Sequence, residues 1–169
     1  MVPASNTRRG FLVSAVATTV LAGCGFELRR APELHFRSIA LAGFAARSPL
    51  AEELRMNINA SQTTQVVESL AQAQVVLDAI SDARERGVVA STAAGQVREL
   101  QLRTRFVFKL RSASGRELIP PTELLLSRDM SYSESVALAK EQEEALLFRI
   151  MQSDIVSQVM RRLAAVQNP

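Results

Sequence analysis

Between residues 100 and 110 the chain reads LQLRTRFVFKL, with apolar and polar residues alternating almost without a break. In an extended chain Leu100, Leu102, Phe106, Phe108 and Leu110 fall on one side, with Thr104 among them. Gln101, Arg103, Arg105, Lys109 and Arg111 fall on the other, with Val107. Successive side chains of a strand point to opposite faces, so this pattern predicts a half-buried strand with a strongly basic outer face.

Other elements follow from the same kind of pattern. ELHFRSIAL (33–41) predicts a first strand. Ser48-Pro49 supplies an N-cap and a proline at the first helical position. Leu50, Leu54 and Ile58 then recur every four residues, which predicts a helix over 49–60 with that stripe buried. TTQVVES is too short to separate a strand from a lead-in. Residues 73–91 predict a long strand, irregular around Glu85-Arg86-Gly87, and Ala94-Gly95 a hairpin turn. SASGRE (112–117) predicts a second turn and 118–132 a third long strand, with Pro120-Pro121 at an edge or bulge. After Ser131-Tyr132-Ser133-Glu134, a capping-box pattern, the chain runs to about residue 166 without Gly or Pro. In that helix Leu147, Phe148, Met151, Ile155, Val159, Leu163 and Val166 share one face. Leu146, Ile150 and Met160 fall off it, and either broaden the core or meet a partner. The early glutamates and the late Arg161-Arg162 match the helix dipole. The order is β-α-β-β-β-α. Strands with one buried face need a cover, so the fold class expected is α+β, a two-layer α/β sandwich on a mostly antiparallel sheet.

The N-terminus carries a different pattern. Arg8-Arg9 precede an uncharged run from Phe11 to Gly23, which predicts a secretory signal over 1–23. Thirteen residues are too few for the roughly 20 needed to cross a bilayer as a helix. The run ends in LAGC, which resembles the lipobox of bacterial lipoprotein precursors. That resemblance implies cleavage before Cys24, acylation of its thiol and amino group, and a lipid-anchored chain starting there. Several acyl chains anchor stably where one does not. Residues 24–33 then form a tether and 34–166 a single domain. TRRGFL also looks like a twin-arginine motif, so the export route stays open between that and the general route. Gly25 after the cysteine resembles the outer-membrane sorting pattern, on the periplasmic side.

Composition narrows the chemistry. The pI near 9.7 suggests a basic protein, but the formal net charge is only +3. Without Arg8 and Arg9 there remain 18 basic and 17 acidic residues, so charge gives no case for nucleic acid. One cysteine precludes an internal disulfide, and one histidine leaves little for a metal site. His35 reads as a surface residue of the first strand. Glu143 and Glu144 are adjacent on a helix and point apart. No nucleophile motif or phosphate loop stands in a fitting context, so no enzyme is expected and no cofactor beyond the lipid on Cys24. What remains is the basic strand face. It is either a solvated surface or an anion site whose arginine forks would pair with phosphate or carboxylate.

Three segments together resemble the LptE family of lipopolysaccharide-assembly lipoproteins: CGFELR (24–29), GQVRELQL (95–102) and ALAKEQEEALLFRIMQSDIVSQVMRRL (137–163). The last is the most specific, and the likeness covers essentially the whole mature length. It implies a non-enzymatic outer-membrane lipoprotein that plugs the LptD β-barrel, assists its assembly and binds lipopolysaccharide for insertion into the outer leaflet. Lys140, in Ala-Leu-Ala-Lys, matches a family position linked to ligand binding. The turn STAAG (91–95) lacks the basic residue expected in some relatives, which shifts the candidate contacts to Arg98, Arg103, Arg105 and Lys140. The rival reading is a scaffold lipoprotein of another outer-membrane assembly machine, without specific lipopolysaccharide binding.

Overall fold

Five strands form one mixed sheet in the computed structural model, which describes residues 33–61 and 63–167. The expected signal segment, Cys24 and the expected tether up to Pro32 lie outside the described residues. The strands are β1 (Ser38–Ala42), β2 (Gln65–Val66), β3 (Val75–Ser91), β4 (Val97–Ser112) and β5 (Glu117–Ser131). The helices are α1 (Pro49–Asn59) and α2 (Ala137–Ala164). The sheet order is β2-β1-β3-β4-β5, with β1 parallel to β2 and β3, and β3-β4-β5 antiparallel. This is the expected α+β sandwich, with the ambiguous TTQVVES resolved as the two-residue β2.

The alternation in β4 sets the layers. Leu102, Phe106, Phe108 and Leu110 are fully buried under the helices, and Phe106 stacks on Phe108 with ring centroids 5.4 Å apart. Around them Ile39, Leu77, Leu54, Ile58, Ile155, Val159 and Leu163 close the main core. Ser48 caps α1 by accepting the Ala51 N–H at 3.3 Å, and Leu50, Leu54 and Ile58 are the buried stripe. Between β1 and α1, Gly43 (φ +79°) passes so close to β3 that a Cβ would lie 2.2 Å from the Ala79 carbonyl oxygen. Only glycine fits there.

Of β3, only Val75–Asp78 pairs with β1. Beyond Asp78, β3, β4 and β5 run on as a three-stranded tongue. A smaller core of Leu100, Leu102, Met130 and Met151, with Leu147, Phe148 and Tyr132 against it, holds the tongue under the first half of α2.

Several expected details differ. β1 begins at Ser38 rather than at residue 33, so exposed His35 precedes the strand, although Leu34 and Phe36 are already buried. The register of β3 is regular through Glu85-Arg86-Gly87, and its irregularities lie at Ile80 and near Val89. The Pro120-Pro121 step does sit at a register shift, on the edge strand β5. The capping box does not form: the chain makes a 3-10 turn at Glu134–Val136, and the Ser133 hydroxyl pairs with that of Ser135 at 2.8 Å. Met160 joins the core at 4 % exposure, whereas Leu146 and Ile150 remain 49 % and 44 % exposed.

Candidate ligand and partner surfaces

The four candidate ligand residues fall into two groups. Arg103 and Arg105 project from the face of β4 opposite the helices, where among the described residues no layer covers the sheet over the tongue. The hairpin registers bring acids beside them. Arg103 pairs in register with Glu85, Lys109 with Asp78, and Gln101 with Asp129. Asp78 accepts from Arg111 Nε at 2.8 Å, Asp129 from Gln101 at 2.9 Å, and Glu123 from Arg105 at 2.7 Å. Arg103 Nε donates to the Gln101 side chain at 2.7 Å. The basic stripe seen along β4 is therefore a lattice of alternating charge once β3 and β5 lie beside it. Opposite charges across neighbouring strands stabilise the pairing. The hydrogen bond from Arg105 to Glu123, and the charge of Glu123, hold the Arg105 guanidinium above its ordinary pKa.

Arg98 and Lys140 belong to the far end of the tongue. Arg98 is exposed near the start of β4, and its carbonyl accepts the Tyr132 N–H at 2.8 Å. Lys140, in the first turn of α2, donates to Ser131 Oγ at 3.1 Å and to Glu143 at 2.8 Å. The β5-to-α2 connection thus links the two residues through Ser131 and Tyr132. Exposed Val88 and Val89 lie near the end of β3, and exposed Val136 and Leu138 at the β5-to-α2 connection. Sequence reasoning missed the acids of β3 and β5, although the turns at Gly95 and Gly115 carried the signal that pairs the strands.

A buried polar network fastens the tongue to the helices. Gln152, 8 % exposed, donates to the Pro49 carbonyl at 3.2 Å and to Glu53, and accepts from Arg84. Arg84 also lies 5.7 Å above the Phe148 ring, and Ser153 donates to Glu53 at 2.6 Å. On the outer side of α2, Leu146 and Ile150 are one helical turn apart. Among the described residues no cluster of His, Cys, Asp or Glu could hold a metal, and no helix is long and apolar enough to cross a membrane.

Several bacterial lipoproteins of known structure share this fold. Lipoprotein B of Nitrosomonas europaea is 29% identical, with TM-score 0.71 over 83% of this chain and 91% of that one. Two further structures share the fold: rare lipoprotein B of Shewanella oneidensis (21% identity, TM-score 0.65, 76% and 95% covered) and a minor lipoprotein of Acinetobacter baumannii (22%, 0.64, 78% and 93%). Among curated protein sequences none matches. The lipopolysaccharide-assembly family model, LptE, matches residues 36–163, well over half of the chain. The chain belongs to the LptE family.

Proposed function

We propose that this chain is an outer-membrane lipoprotein, acylated at Cys24 and facing the periplasm, that plugs and supports an LptD-type β-barrel and binds lipopolysaccharide bound for the outer leaflet. The observation that carries this reading is the family match across residues 36–163. The LAGC sequence at 21–24 supports the anchor. Two surfaces suit a plug. The open sheet face is polar and nearly charge-balanced, as contact with the polar interior of a barrel requires. The exposed Leu146–Ile150 turn of α2 offers an apolar contact.

Arg98, Arg103, Arg105 and Lys140 are the proposed lipopolysaccharide contacts. Within that set Arg98 has the better claim, because exposed apolar side chains lie at its end of the tongue, whereas Arg105 is engaged by Glu123 and Lys140 by Glu143. A phosphorylated, acylated ligand needs both cations and apolar surface.

The test is affinity purification of the full-length protein from detergent-solubilised outer membranes, with partners identified by mass spectrometry. Stoichiometric recovery of one large LptD-type barrel is expected. Recovery of a barrel-folding machine, or of no barrel, would overturn the function in favour of the scaffold reading while leaving the fold intact.

A further inference from the structure

Past Asp78 the side of β3 away from β4 has no neighbouring strand among the described residues. The segment between β1 and α1 still reaches it at two points. Gly43 passes close to Ala79, and Ser48 Oγ donates to Asp82 at 3.4 Å. The free stretch is therefore Ala83–Val88. Its register with β4 is regular, and every residue of Arg84–Val89 is exposed. Alternate residues of such an edge turn their N–H and C=O groups outward, where they template pairing with another chain. The opposite edge of the sheet is guarded: β5 carries Pro120 and Pro121, which have no N–H to donate, at a register shift. The free stretch of β3 has neither a proline nor a shift.

A cleft runs beside this stretch on the helix side. Arg84 and Arg86 are in register with Thr104 and Leu102, which are buried beneath the helices, so they share that face. With Glu144, Ala145, Phe148 and Arg149 of α2 among others they line an open cleft of about 590 Å³, within the range of ligand clefts. Three arginines against Glu141 and Glu144 leave the lining one net positive charge. Arg86 pairs with Glu144 at 3.3 Å. Arg84 lies 5.7 Å above the Phe148 ring and bonds Gln152, and Arg149 donates to the Ala145 carbonyl at 3.4 Å. Neither Arg84 nor Arg149 has a carboxylate partner among the described residues. Phe148 supplies an apolar wall, and the small Ala145 side chain leaves room beside it.

We propose that the free edge of β3 takes up an extended, acidic polypeptide segment as an added strand, with alternate side chains of that segment entering the cleft under α2. A strand edge offers donors and acceptors at a spacing that another extended backbone matches, and a cleft beside it selects every second side chain. A carboxylate there meets Arg84 or Arg149, and an aliphatic residue meets Phe148. About six residues, the usual length of a strand, fill the stretch. A second copy of this chain is the poorer occupant. Antiparallel pairing of the same two edges, centred on Arg84 or on Glu85, sets like charges face to face. None of the proposed lipopolysaccharide contacts lines the cleft, so the inference stands or falls separately from that reading.

The test titrates the full-length protein with an acetylated peptide of about seven residues, in which threonine alternates with aspartate and valine in turn. Binding is read by fluorescence anisotropy, and amide hydrogen exchange is followed at 83–88 and along β5. Slower exchange at 83–88 alone is expected. Arg149→Glu, at an exposed position, is expected to weaken binding about tenfold, a change of one unit in log Kd. Ala145→Trp, which fills the cleft without touching the edge, is expected to abolish the slowing. Equal binding of the same peptide with lysine for aspartate would overturn the acidic assignment. Full binding by both of two peptides, N-methylated at one or the other set of alternate residues, would overturn the added strand. Slowing at 83–88 that grows with protein concentration in the absence of peptide would give the edge to a second copy instead. No slowing, or an unaltered response in folded Arg149→Glu and Ala145→Trp proteins, would overturn the site.

Discussion

Arg105 donates from two guanidinium nitrogens, at 3.0 and 2.7 Å, to a single carboxylate oxygen of Glu123 across the open face of the sheet. The pair raises the arginine pKa above its ordinary value. A cation whose folded pKa is raised contributes its stability in full below the unfolded pKa, which for arginine lies far above neutral pH. The stability difference between the wild-type protein and Arg105→Gln should therefore stay constant from about pH 6 to pH 9. Thermal melts of both across that range check this. A difference that changes with pH would mean that another titrating group is coupled to Arg105.

Thr104 is 3 % exposed in the middle of β4, and its hydroxyl has no partner among the described residues. Valine has nearly the same shape without the polar atom. Thr104→Val should therefore stabilise the protein by about 1 kcal/mol, read as a higher urea midpoint at unchanged slope. A loss of stability would reveal a hydrogen bond to this hydroxyl.

Gly43 and Gly95 both have positive φ, +79° and +80°, but only Gly43 has backbone where a Cβ would go. Gly95→Ala should cost about 1 kcal/mol, for the left-handed backbone alone. Gly43→Ala should cost at least about 3 kcal/mol, because β1 and β3 must also move apart. Denaturant unfolding of the two variants side by side decides it, and equal losses would contradict the close approach.

Gln152→Leu removes the side chain that joins α1, α2 and β3, leaving Glu53, Arg84 and the Pro49 carbonyl without it. The expected loss is about 2 kcal/mol, with faster hydrogen exchange in the tongue before the rest of the sheet. Uniform loss of protection would show that the network does not fasten the tongue separately.

On the proposed lipopolysaccharide site, Arg98→Gln should weaken binding several-fold, and Lys140→Gln and Arg105→Gln less, because Glu143 and Glu123 already engage those cations. Surface charge changes of this kind leave the melting midpoint nearly unchanged. Affinities measured with purified lipopolysaccharide test the ranking, and a folded Lys140→Gln protein with full affinity would remove that residue from the site.

The layers of the fold were legible because period-2 and four-residue patterns are local. Leu102, Phe106 and Phe108, and likewise Leu50, Leu54 and Ile58, are buried as their spacing required. The wider buried arc of α2 was not legible. Gln152, Val156 and Met160 follow at four-residue spacing, and Gln152 bonds to α1, so a second helix alongside makes an extra stripe internal. The electrostatics of the sheet were hidden for a similar reason. Arg103 and Arg105 look like an anion site along one strand. Their acids come from two other strands, in a register that a bulge at Ile80 helps to set. Chemistry assembled from three strands is not visible in any one of them.

The short β1 has a mechanical consequence. Past Asp78 the three remaining strands project for roughly 40 Å, at 3.3 Å per residue, as a cantilever fixed at one end in the main core. Half of α2 is laid along it as a splint. Any load applied at the free tip is carried back along α2 to the root of the cantilever, where Arg84, Gln152 and Glu53 form the joint.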